Sequence, residues 1–149
     1  MSKAGGQDAQ HVAERSARAL FGRDRASQAF GMRLVEVRPG RARVVMTVRP
    51  DMVNGHDVCH GGIVFALADS AFAFACNSYN ESTVAATGAI DFLAAARTGD
   101  ELTAQACELW RTMRNGIYEI SVTNQRGERV ALFRGRSYRI DGQVTTIEE

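Results

Sequence analysis

The sequence predicts an α+β protein in which a curved antiparallel β-sheet is wrapped around one central helix. Three observations carry this. The run from Ile63 to Cys76 is apolar on every side except at Asp69, so it reads as a helix that must be buried. Segments before and after it alternate with period two, as half-buried antiparallel strands do. A strongly curved antiparallel sheet is the only element plentiful enough in this chain to enclose such a helix. At 149 residues the chain suits one domain, assigned to residues 10–149, with a single core that needs no staples.

Residues 1–9, which begin "MSKAGGQ", are small and polar and are expected to be a disordered N-terminus. From Gln10 to Phe21 the positions Val12, Ala17, Ala19, Leu20 and Phe21 give a helical lead-in, and "DRASQAFG" adds a short turn of helix closed by Gly31. The period then changes. In "MRLVEVRPGRARVVMTVRP", Ala42, Val44, Met46 and Val48 share one face while Arg41, Arg43 and Thr47 take the other, with "PG" at the hairpin turn. After the loop "RPDMVNGHDVCH" and the apolar helix come four more strands, broken at "RTGD", "RTMRNG" and "NQRGE". Ala66, Ala68, Ala71, Ala73 and Ala75 keep the central helix thin enough to lie close to the sheet.

Composition excludes several classes. Charged residues at 23% and hydrophobic residues at 45% describe a soluble globular chain, and a net charge of +1 argues against a nucleic-acid partner. The longest apolar run is shorter than the ~20 residues a bilayer needs, so no membrane segment is expected. Three cysteines at irregular spacing, Cys59, Cys76 and Cys107, with no hydrophobic leader ahead of them, point to a reducing cytoplasm.

The chemistry concentrates in "NGHDVCHGG" and the helix that follows. Gly61 and Gly62 let the chain turn sharply and let a ligand approach the backbone. The first turn of a helix has unpaired N–H groups and partial positive charge, which makes it a ready oxyanion site. Asp69 adds a carboxylate in an apolar place where its protonation can be tuned. His56 and His60 have the spacing of a helical zinc motif, but Gly55 and the Gly61-Gly62 pair bracket them too tightly for a stable helix, so no metal is expected. No G-x-S-x-G elbow makes Ser70 a nucleophile, and no phosphate-binding glycine pattern sits between a strand and a helix.

The pattern N-G-H-x-x-C-H-G-G-x-x-x-x-L-A-D, Asn54 through Asp69, resembles the hotdog-fold acyl-CoA thioesterases. The continuation "SAFAFACNS" and the late "FRGRSYRI" resemble the phenylacetic acid degradation branch of that family, and the likeness runs from about Phe30 to Ile140. The resemblance implies hydrolysis of phenylacetyl-CoA or a ring-hydroxylated version of it, with no cofactor, coenzyme A being part of the substrate. It makes Asp69 the general base or the nucleophile and the Gly61 N–H the oxyanion donor. Asn54 would place the water or thioester, and His60 would support the turn. Some relatives hold the attacking water with a hydroxyl on the strand after the helix. The matching position here is Ala85, with Thr87, two residues on and expected on the same face, as its substitute.

Thioester hydrolysis builds charge on the carbonyl oxygen and needs a carboxylate to deprotonate water or to form a transient anhydride, so the parts suit the reaction. Phe65, Phe72, Phe74 and Phe92 lie near the motif as core or as an aromatic acyl pocket, and Phe72 is the expected substrate contact. Arg111, Arg114, Arg134 and Arg136 are the expected clamps for the coenzyme A phosphates. A helix starting near Gly61 puts Asp69 ~12 Å further along its axis, too far for one carbonyl to touch both. Either one of the two assignments is wrong or the site joins two subunits; a homodimer with shared sites, which the resemblance also implies, is expected, assembled into a homotetramer. Two other readings stand beside this one: a hotdog hydratase or dehydratase using His60 with Asp69, and a non-catalytic acyl-CoA-binding sensor.

Overall fold

The computed structural model describes residues 2–147. Helix α1 spans Ser2–Arg23 and α2 spans Arg25–Ala29. A hairpin of β1, Arg33–Arg38, and β2, Arg41–Thr47, follows, then the central helix α3, Gly61–Cys76. Strands β3, Thr83–Phe92, β4, Glu101–Arg111, β5, Asn115–Thr123, and β6, Arg129–Arg139, complete the chain. All six strands form one antiparallel sheet in the order β1-β2-β4-β5-β6-β3. The curved sheet around one helix, expected from the apolar run and the period-two segments, is the hotdog fold.

Alternation decides which residues meet the helix. On β5, Tyr118, Ile120 and Val122 are buried, and across the register Ala106 and Ala104 on β4 and Phe133 and Ala131 on β6 are buried with them. From the helix, Leu67, Ala68, Ala71, Phe74 and Ala75 are fully buried, the alanines allowing the sheet to close over the helix. Burying each large apolar side chain here contributes about 1.5–3 kcal/mol. Gly135 on β6 marks the closest approach, since a Cβ there would lie 2.7 Å from the ring of Phe72.

Residues 2–9, where composition predicts a disordered terminus, lie within the bounds of α1. The contacts that fix α1 to the rest of the fold lie further along it. There Ala13 and Ala17 are buried, and Ser16 Oγ donates to the Asn77 carbonyl at 2.7 Å, fixing α1 to the end of α3. Residue 1 lies outside the described residues.

Strand β3 occupies one edge of the sheet, and eight of its ten residues are exposed, Val84 and Phe92 among them. An apolar edge with unpaired N–H and C=O groups invites a further strand.

Candidate active site

His60 is the N-cap of α3. Its Nδ1 accepts from the Gly62 N–H at 3.0 Å, which fixes the entry of the chain into the helix. Gly61 is the first helical residue, its N–H has no intrahelical acceptor, and none of the described hydrogen bonds uses it. A Cβ at Gly61 would lie 3.0 Å from the ring of Phe92, so the absence of a side chain leaves this N–H approachable.

The preceding loop is built around Asn54. Its Oδ1 accepts from the His56 N–H at 2.9 Å, its own N–H donates to the Val58 carbonyl at 2.8 Å, and its carbonyl accepts from the N–H of Asp57, whose φ is +60°. The Asn54 Nδ2 takes part in none of the described hydrogen bonds, so a donor is left for a ligand. Asn54 and Gly61 line one cleft of about 450 Å³ with Phe92 and Leu93 of the β3 end. Cys59, in the same cleft, is buried and its thiol is pushed up to about 11, which keeps it protonated and unreactive at neutral pH.

Asp69 opens elsewhere. It lies in a cleft of about 350 Å³ walled by Phe72, Ala73 and Cys76 of α3, by Thr83, Val84 and Ala85 of β3, and by Leu20, Arg23 and Asp24 of the lead-in. Burial raises its pKa, and the nearby Asp24 carboxylate raises it further. Asn77 fixes the floor: its Nδ2 donates to the carbonyls of Ala73 at 2.8 Å and Thr83 at 3.0 Å, and its Oδ1 accepts from the Thr83 N–H. A larger cleft of about 550 Å³ between α1 and β1 is lined by Glu14, Arg18, Glu36 and Arg38 and contains no residue of the motif.

Thr87 is not where alternation predicts. A bulge between Ala85 and Thr87 shifts the register, so Ala85 pairs with Ser137 and Thr87 with Arg136. Ser137 and Arg136 are neighbours on β6 and face opposite ways, hence Ala85 and Thr87 do too. Ala85 faces the Asp69 cleft and Thr87 the outside. The hydroxyl that does line the cleft is that of Thr83, which donates to the Glu81 carbonyl at 2.8 Å.

Phe72 is both core and cleft, packed on Tyr118 at 5.3 Å and Phe133 at 5.9 Å between ring centroids. Of the four arginines, Arg111 is occupied: its guanidinium stacks 3.4 Å above the Tyr79 ring and lies within 4 Å of Glu81 and Glu108. Arg134 pairs with Glu119 at 3.2 Å. Arg136 donates to the neutral Asn115 Oδ1 at 2.9 Å, and Arg114 makes no ion pair among the described residues. Among the described residues no three His, Cys, Asp or Glu side chains gather as metal ligands, and no helix is long and apolar enough to cross a membrane.

The sequence reading did not find Leu20, Asp24 or Asn77. For Asp24 a signal existed, since D-x-x-S is a helix N-cap pattern, but nothing local tied it to Asp69.

A half-buried carboxylate thus sits on a helix wrapped by a single sheet, with free donors at the glycine turn where that helix begins, and the architecture is that of the hotdog fold. The thioesterase superfamily model matches residues 56–131. The acyl-coenzyme A thioesterase PaaI of Escherichia coli is 44% identical over 91% of this chain and 96% of its own length. The structure of the E. coli PaaI protein from the phenylacetic acid degradation operon superposes with a TM-score of 0.89, covering 90% of this chain and 97% of that one. A mutant structure of the phenylacetic acid degradation protein PaaI from Thermus thermophilus is 35% identical with a TM-score of 0.76, over 78% of this chain and 100% of that one. The chain belongs to the thioesterase superfamily, in its hotdog-fold PaaI branch, and is a thioesterase.

Proposed function

We propose that this acyl-CoA thioesterase hydrolyses phenylacetyl-CoA or a ring-hydroxylated phenylacetyl-CoA to the free acid and coenzyme A, at sites shared between two copies of the chain. The observation that carries the shared site is the position of β3. Its Thr83–Ala85 end walls the Asp69 cleft, its Phe92 end walls the Asn54–Gly61 cleft, and the strand is an exposed edge. Antiparallel pairing of this edge with its copy across a two-fold axis sets the Phe92 end of one chain beside the Ala85 end of the other. Asp69 of one subunit then meets Gly61 and Asn54 of its partner. Assembly of two such dimers into a homotetramer belongs to the same reading and rests on the resemblance to the PaaI branch.

The reaction follows from these roles. Asp69 removes a proton from water, whose oxygen attacks the thioester carbonyl, or attacks the carbonyl itself to form an anhydride that water opens. The Gly61 N–H, at the positive end of α3, stabilises the oxyanion, and collapse breaks the C–S bond to release the thiol of coenzyme A. The Asn54 Nδ2 is the donor that orients water or thioester, and His60 holds the turn. Phe72 meets the acyl group, and Arg114 and Arg136 meet the phosphates. No metal or cofactor takes part. Three free thiols, Cys59, Cys76 and Cys107, suit a reducing cytoplasm.

Release of free thiol from a panel of aryl and straight-chain acyl-CoA substrates tests the reading. Asp69→Asn is expected to lower turnover at least ~100-fold, the lower range for losing a positioned acid–base group. Near wild-type turnover in that variant sinks the assignment. Consumption of an enoyl-CoA without thiol release would favour a hydratase, and binding without consumption a sensor. Activity should survive exhaustive chelation, whereas a lasting loss restored only by zinc would mean that His56 and His60 bind metal.

A further inference from the structure

The Asp69 cleft has a wall that the superfamily match, residues 56–131, does not include. Leu20 and Arg23 close it from the end of α1, and Asp24 from the corner between α1 and α2. That corner is pinned to the catalytic helix. Asp24 Oδ1 accepts from the Ser27 N–H at 2.9 Å and Oδ2 from the Ser27 hydroxyl at 2.6 Å, and the Ser27 hydroxyl is bonded to that of Ser70 at 2.8 Å. Ser70 is the neighbour of Asp69, so the Asp24 carboxylate is held at a fixed place relative to the reacting group.

Its charge is not cancelled there. Arg23, the one cation lining the cleft, is exposed, and its Nη2 donates to the Val144 carbonyl at 2.9 Å; it forms no ion pair with Asp24 or Asp69 among the described residues. The rest of the lining, Leu20, Phe72, Ala73, Cys76, Val84 and Ala85, is apolar apart from Asn77 and Thr83, whose polar atoms are engaged with the backbone. Asp24 raises the proton affinity of Asp69, so the two carboxylates interact across this space.

We infer that the α1–α2 corner is the acyl-end wall of the site and that Asp24 is a specificity-determining residue, selecting neutral acyl groups over those that carry a distal carboxylate. This rests on the reading that the acyl group occupies the Asp69 cleft. A neutral aryl or alkyl group fills the space against Leu20 and Phe72. A carboxylate at its far end meets a fixed like charge.

Matched acyl-CoA substrates test this: phenylacetyl-CoA, its 4-carboxy analogue and acetyl-CoA. The readout is a ratio of kcat/KM values within each enzyme, so an altered protonation of Asp69 cancels. Asp24→Asn keeps the α2 cap, asparagine being as good an N-cap as aspartate. It should lower the preference for phenylacetyl over 4-carboxyphenylacetyl by about tenfold, the size expected from removing one partly screened like charge. Leu20→Trp should lower the preference for phenylacetyl over acetyl by filling the cleft. An unmoved ratio in Asp24→Asn overturns the role of Asp24, and an unmoved ratio in Leu20→Trp overturns the wall. If Asp69→Asn is inactive while both ratios stand still, only the acyl-end assignment fails. An active Asp69→Asn enzyme instead overturns the catalytic reading.

Discussion

Asn54 and Asp69 open into different clefts of the same chain, one at the start of α3 and the other beyond its middle. The helix itself separates them: eight residues from Gly61 to Asp69 span ~12 Å of its axis. One cleft holds free donors and the other a carboxylate, and the exposed β3 edge touches both.

The half-buried carboxylate has a consequence for folding. Burial, with a smaller effect from Asp24, raises the pKa of Asp69 above its unfolded value. The folded state therefore keeps its proton to higher pH than the unfolded state, and stability falls as pH rises from the unfolded pKa through the folded one. That cost is fully present above the folded pKa. Asp69→Asn removes it while keeping the shape, so its thermal unfolding at pH 7 should come at or above the wild-type temperature. The advantage should vanish in acid, where both states of the wild type are protonated. A variant less stable than wild type at pH 7 would show that the carboxylate stabilises the fold.

The same shift governs the rate. With Asp69 acting as the proposed ionised base or nucleophile, the acid limb of kcat/KM should lie above the pKa of an unperturbed aspartate. The groups facing Asp69 are Arg23 and Asp24 from the lead-in and Cys76 from its own helix, with none charged from the β3 wall. Burial holds the Cys76 thiol at about 12, so it stays neutral. Asp24→Asn removes the one carboxylate that opposes ionisation of Asp69, and the acid limb should move to lower pH. A limb that stays in place would show that Asp24 is screened from the reacting group.

Legibility in the sequence followed the range of the interactions. The hairpin of β1 and β2, the central helix and the half-buried β5 were readable because one short segment carries the whole periodic signal. The turn role of His60 came from the family resemblance and not from periodicity, although its partner Gly62 is only two residues away. The bulge before Thr87 was not readable, because a single extra residue leaves the composition unchanged and still reverses the faces beyond it. Arg111 looked free because Glu81, 30 residues earlier, and the Tyr79 ring reach it only in the folded sheet. Asp24 and Asp69 are brought to one cleft by packing of α2 on α3, which no local pattern encodes.

Gly135 tests the packing that holds Phe72 at the cleft. A Cβ there would stand 2.7 Å from one ring carbon of Phe72 and 3.0 Å from Phe133, and both rings are almost wholly buried. Neither can swing into solvent. Gly135→Ala should therefore destabilise by about 1–3 kcal/mol, the usual cost of overpacking a core. Urea unfolding measures it, and an unchanged midpoint would mean that the sheet yields at this point.

The shared site makes a prediction about mixtures of variants. Asn54→Ala removes the free Nδ2 donor and Asp69→Asn the carboxylate, so each homodimer has two damaged sites. In a mixed dimer, one site takes Asn54 from the subunit that retains it and Asp69 from the other subunit, and is intact; the second site has neither residue. Co-expression with two different tags, followed by isolation of the doubly tagged species, should thus recover up to about half of the wild-type activity per dimer, since one of two independent sites is whole. Sites confined within single chains give the opposite result. Every site in the mixed dimer would then lack one residue, and activity would match the mean of the two damaged homodimers. That outcome, or full activity in a verified monomer, would remove the partner subunit from the mechanism.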